Sequence, residues 1–148
     1  MKASPTMKQV VQQLAEKYDL DLSRPSCFLR LDMPGYDSLV IAVVGPSQIA
    51  VTHCFEECGE WKIEREVVLF TGFGEDWLPI EITQLATGWY AAAKLDAEGK
   101  HIVRINHCDQ ERFADYTERW AHRIVKQNWL EQRECYQPWS PPWRKEYL

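Results

Sequence analysis

The chain has 148 residues, of which 45% are hydrophobic and 26% charged, and a formal charge of −5. These are the proportions of one globular domain, long enough to bury a core without disulfides or metal. No apolar run approaches the ~18 residues of a membrane span, residues 1–6 lack the apolar centre of a secretory signal, and Cys27, Cys54, Cys58, Cys108 and Cys135 are spaced like free thiols, so a cytoplasmic location is expected.

Met7, Val10, Val11, Leu14 and Tyr18 recur at helical spacing, which predicts an amphipathic helix over residues 7–18. Thr6 and Gln9 have capping-box spacing, and Pro25 closes the segment. Residues 27–31 read as a short strand and Pro34-Gly35 as a turn. The unbroken apolar run from Leu39 to Val44 reads as a central strand covered on both faces. Residues 49–55 alternate, with Ile49, Val51, His53 and Phe55 on one side and Ala50, Thr52 and Cys54 on the other. In residues 61–70, Trp61, Ile63, Val67 and Leu69 are expected to share a face. The links between these three strands are short, so they should be antiparallel neighbours; a parallel pair needs a crossover of about a dozen residues.

Residues 71–76 read as a loop. Pro79 marks residues 77–82 as an edge strand or an irregular extended piece. Residues 89–95 and 101–106 read as strands joined by a hairpin turn over residues 96–100. A last helix is predicted over about residues 110–129, with Asp109 as N-cap and Phe113, Tyr116, Trp120 and Ile124 on its apolar face. Residues 136–143 carry three prolines and should run extended. The expected architecture is α+β, an antiparallel meander of about six strands flanked by an N-terminal and a C-terminal helix. The domain would span residues 1–135, with a Pro/Trp-rich tail over residues 136–148.

Reactive side chains are present without a decisive pattern. His53, Cys54, Cys58, His107 and Cys108 carry metal-binding atoms, but not as two compact ligand pairs. The simpler reading is a half-buried strand histidine beside small buried thiols, with no metal or cofactor. Glu56, Glu57, Glu60, Glu64 and Glu66 suit either acid–base chemistry or a charged strand face that discourages aggregation. No phosphate-binding loop, nucleophile elbow or zinc-protease helix occurs. Arg119, Arg123, Lys126 and Arg133 are interleaved with Glu118, Glu131 and Glu134, and the acidic balance disfavours general nucleic-acid binding.

The carboxyl end is the densest feature. Trp129, Tyr136, Trp139, Trp143 and Tyr147 put five large aromatics into 19 residues. Such rings call for cover, from the chain's own sheet, from a second copy in a homodimer, or from another protein.

Residues 31–90 resemble a family of small uncharacterised bacterial domains common on plasmids and mobile elements. The resemblance rests on Met33-Pro34-Gly35-Tyr36-Asp37-Ser38 before an apolar strand, then Val51-Thr52-His53-Cys54-Phe55-Glu56-Glu57-Cys58-Gly59-Glu60, with Trp77-Leu78-Pro79-Ile80 and Gly88-Trp89-Tyr90 further on. This chain has Cys58 where many members carry Asn, and its tail has no counterpart in the family pattern. The resemblance implies a fold unit with His53 as one of its features, and no activity.

These readings point to a non-catalytic protein-binding module of a soluble bacterial accessory protein. Its candidate binding residues are His53, Glu56, Glu57, Trp139 and Trp143. One alternative is a small metal-dependent or hydrolytic enzyme centred on His53, Glu56, Glu57 and His107. The other is a nucleic-acid-associated regulator using the C-terminal helix.

Overall fold

The computed structural model describes residues 1–25 and 27–144. Its elements are α1 (Pro5–Lys17), β1 (Phe28–Asp32), β2 (Ser38–Gly45), β3 (Gln48–Glu57), β4 (Glu60–Phe73), β5 (Asp76–Gln84), β6 (Gly88–Ala91), β7 (Ala93–Leu95), β8 (Ile102–Ile105), α2 (His107–Lys126) and β9 (Glu134–Tyr136). Seven strands form one antiparallel sheet in the order β6-β5-β4-β3-β2-β1-β9, while β7 and β8 pair as a separate hairpin. The α+β class and the meander through β2, β3 and β4 are as the sequence implies. The strand count differs, and α2 is not the last element: β9 follows it and closes the sheet beside β1. No helix among the described residues is long and apolar enough to cross a membrane.

Period-two alternation sorts the strand side chains onto two faces. One face carries Leu29, Leu31, Leu39, Ile41, Ile49, Val51, Val67 and Leu69, and both helices pack on it. The other carries Phe28, Ala42, Val44, Ala50, Val68, Phe70, Leu78 and Ile80, partly covered by Ala93, Leu95 and Ile102 of the β7–β8 hairpin. This two-sided cover explains why β2 is apolar without a break from Leu39 to Val44.

Several local expectations change. Residues 71–76 are mostly strand, because β4 and β5 run on into a tight turn with Gly74 at φ +64°. β5 is an interior strand. Its Pro79 sits at a bulge, with Glu81 opposite Val68 and Pro79 opposite Leu69, where a missing N–H does least harm. Residues 89–95 are not one strand: Ala92 is buried at the point where the chain leaves the large sheet for the β7–β8 hairpin.

β4 holds the most consequential correction. His53 pairs with Arg65 and Cys54 with Ile63, so Glu64 is an extra residue. One inserted residue reverses the facing of everything before it. Trp61 and Ile63 therefore lie on the opposite face from Val67 and Leu69.

Helix ends also differ from their local signals. The Thr6–Gln9 capping box is not formed. Instead Glu118 of α2 accepts from the Thr6 N–H at 2.9 Å and from the Ser4 hydroxyl at 3.3 Å, so a carboxylate from the neighbouring helix satisfies the start of α1. For α2 the N-cap is Asn106, whose side chain accepts from the Asp109 N–H at 3.0 Å. Asp109 lies one turn further in.

Candidate functional site

The three candidate regions are a histidine niche under α2, a tail-covered patch on the opposite face, and a cleft at the free sheet edge.

β3 delivers His53 to the helix-covered face beside Val51. Its ring meets Trp120 edge-on at 5.2 Å between centroids and Trp129 at 5.8 Å. Both indoles are fully buried. The Arg65 guanidinium lies over the Trp120 ring at 5.6 Å and the Tyr116 ring at 5.8 Å. What remains is a cleft of 60 Å³ lined by His53, Arg65, Trp120, Arg123 and Gln127. Burial, followed by the positive charges of Arg65 and Arg123, pushes the His53 imidazole down to about 4. It is neutral near pH 7 and a poor proton acceptor there.

Nothing reactive converges on this ring. Glu56 and Glu57 are exposed at the far end of β3, where Glu57 pairs with Lys62 at 2.9 Å. The β3–β4 turn follows, with Cys58 in the left-handed region at φ +53° before Gly59. Cys54 points to the other face, and burial raises its thiol to about 12, which leaves it inert. His107 and Cys108 start α2, whereas the niche lies beside Trp120, thirteen residues along or about 20 Å at 1.5 Å per residue. Among the described residues no group of three His, Cys, Asp or Glu side chains is placed to hold a metal ion. The structure thus does not bring His53, Glu56, Glu57 and His107 together.

The tail aromatics separate. Trp129 is buried in the helix-side core and donates its indole N–H to Gln127 at 3.0 Å. Tyr136, Trp139 and Trp143 lie against the other face. There, Tyr136, Arg30, Val40, Thr52 and Glu66 form one cross-strand row over five neighbouring strands. The Arg30 guanidinium sits 4.0 Å from the Tyr136 ring centre and 5.1 Å from those of both Trp61 and Trp139. Three rings around one cation form an aromatic cage, here filled by the chain's own arginine. Asp32 pairs with Arg30 at 3.0 Å and accepts from the Ser38 hydroxyl at 2.6 Å. Trp139 also packs on Trp61 at 5.2 Å and on Trp143 at 5.9 Å. Arg144 then reaches buried Glu66, which accepts from the Thr52 hydroxyl at 2.7 Å. Tyr147 lies outside the described residues.

β6 is the sheet's other edge strand. Among the described residues it pairs only with β5, and Trp89, Tyr90 and Leu85 are each more than half exposed. Tyr90, opposite Ile82, borders a 380 Å³ cleft together with Phe113, Tyr116, Arg112 and Arg119 of α2. The two arginines lie two helical turns apart on one face, and among the described residues no carboxylate lines the cleft. Sequence reasoning missed this site. Its signal was Gly88-Trp89-Tyr90 followed by three alanines, an aromatic pair where the strand pattern fails.

Compared with known protein families, characterised proteins and solved structures, the chain matches none.

Proposed function

We propose that this chain is a non-catalytic protein-binding module whose open edge, β6, takes up an extended partner segment as an added strand. The observation that carries this reading is the difference between the two edge strands: β9 carries the charged Glu134 and runs into Pro138, whereas β6 carries neither charge nor proline and exposes Trp89 and Tyr90. Proteins normally blunt such an edge with charge, proline or a covering element; β6 itself, Gly-Trp-Tyr-Ala, has none of these.

Backbone alternation indicates what a partner would find. Ala92 donates to the Ile80 carbonyl at 2.7 Å. Residues two apart point the same way, so Tyr90 and Gly88 bond inward to β5 while Trp89 and Ala91 present N–H and C=O outward. An added strand gains affinity from those groups and specificity from adjoining side-chain pockets. Arg119, with Arg112 beside it already paired to Asp109 on an exposed surface, suits an acidic side chain on the incoming segment. The two indoles packed on His53, and an imidazole held neutral by burial and by Arg65 and Arg123, support a packing role for it within such a module.

The test is a photo-reactive side chain at Leu85, introduced in the source cells. It should yield an adduct of one discrete mass, and Ala91→Pro should abolish it by removing an outward N–H. An adduct indifferent to Ala91→Pro, or reaction only from positions on the tail, would remove the edge as the binding surface.

A further inference from the structure

The face opposite the helices holds a larger recess of 510 Å³, between the end of β4 and the strand β8. This is within the range of small-molecule sites. Phe70, Phe73, Ile102 and Ile105 contribute apolar walls, and Lys100 and Arg104 are among its lining. Gly72 lets the hairpin approach this closely. A Cβ there would fall 2.7 Å from the Phe70 ring and 3.2 Å from the Lys100 carbonyl oxygen.

Charge is what sets the recess apart. The chain is acidic overall at −5, yet among the described residues no carboxylate lines this recess, whereas His101 and His107 join Lys100 and Arg104 there. Two acids of the preceding turn contact its lining residues. Asp96 contacts His101 at 3.0 Å, and Glu98 meets the Lys100 ammonium at 3.5 Å on an exposed surface. Such an exposed pair contributes little and exchanges readily. The start of α2 at His107 adds the positive end of a 20-residue helix.

We propose that this recess binds a small amphipathic monocarboxylic acid. Its apolar body lies on Phe70, Phe73, Ile102 and Ile105, and its carboxylate meets Lys100 and Arg104. A neutral hydrocarbon would leave the cations unused, and a phosphate would face mostly apolar wall. A carboxylate on a hydrocarbon or aromatic body matches both.

The probe is decanoate, titrated into the full chain by calorimetry and by methyl NMR, with decan-1-ol as the uncharged control. Decanoate should bind saturably and shift the Ile102 and Ile105 methyl signals, and decan-1-ol should bind more weakly. The double variant K100Q/R104Q removes both cations and should weaken decanoate by about tenfold or more, the loss expected from even one charge-assisted contact, with the alcohol unchanged. Ala91→Pro should leave both titrations as they were, which separates this site from the sheet-edge reading. Equal affinity for acid and alcohol, an unchanged double variant, or shifts centred elsewhere would overturn the assignment. A light-scattering mass of two chains that halves in the double variant would also overturn it, making the recess an interface between copies.

Discussion

Replacing His53 by glutamine should remove much of the acid sensitivity of folding between neutral pH and about pH 4. In the folded chain burial holds the imidazole at about 4, with Arg65 and Arg123 adding to the effect, against an ordinary value of 6.5. Across that window the unfolded chain takes up a proton that the folded chain refuses. Stability is therefore complete above the ordinary value and falls as the pH falls towards the folded one. The gap of about 2.5 pH units corresponds to about 3 kcal/mol in full, of which about 2 kcal/mol is lost by pH 5. Urea denaturation of both proteins near pH 7.5 and near pH 5 measures it. His53→Gln will shift absolute stability at both pH values, because Trp120 and Trp129 lose a packed ring; only the difference between the two pH values counts. Carboxylates such as Asp37, held above its usual range by burial and by Glu64, titrate in both proteins and cancel. The reasoning fails if the variant loses as much stability on acidification as the parent, or if the His53 ring titrates near its ordinary value by NMR.

Three further outcomes follow from single contacts. Cys58→Asn places a residue tolerant of left-handed backbone at φ +53° ahead of Gly59, and should stabilise by about 0.5–1 kcal/mol; calorimetry should show a rise of a few degrees in Tm, and a fall would contradict the turn geometry. Gln110 is fully buried and bonds the Lys2 N–H at 2.7 Å, the Lys2 carbonyl at 2.6 Å and the Pro79 carbonyl at 3.2 Å. Gln110→Met should cost about 2–3 kcal/mol by leaving these groups unmatched, and a loss in urea stability below 1 kcal/mol would show that they find other partners. Arg144→Met removes the cation beside buried Glu66, a type of loss that costs about 3–5 kcal/mol when the structure cannot relax. Here the tail can lift and let water reach Glu66, so chymotrypsin should cut beside Trp139 or Trp143 about tenfold faster or more while the global urea midpoint moves little. Unchanged cleavage would mean that the aromatic contacts alone hold the tail.

Periodicity made much of the fold legible. The stripe from Met7 to Leu14 is the buried face of α1, and the apolar run from Leu39 to Val44 lies wholly inside β2. Short turns joined β2, β3 and β4 as antiparallel neighbours. These signals are local and repeat over several residues, so they survive small errors. Trp61 and Ile63 show where such reading ends. The extra residue Glu64 leaves no mark in the hydrophobic pattern, yet it turns both side chains away from the helices and puts Trp61 over Arg30.

The candidate site was legible only as ingredients. His53 stood out as a histidine on an alternating strand, and the tail as a cluster of indoles in need of cover. Which groups surround them is set by partners far away in the chain. His53 meets residues contributed by α2 and the segment after it, and Trp139 meets Trp61 of β4. The exposed β6 edge is likewise a property of the whole sheet, since a strand is an edge only once all the others have found neighbours.

By itself the sequence determined an α+β chain with an amphipathic helix at each end of a strand-rich middle, because helix and strand periodicities are written in neighbouring residues. Tertiary structure alone decided that Glu118 caps the other helix, that Glu64 inverts one end of β4, and that Trp139 packs over Arg30 and Trp61 while Trp89 and Tyr90 of β6 stay exposed. Each of these depends on which surfaces meet after the chain has folded back on itself, and residues more than a turn apart carry no mark of that meeting until packing creates it.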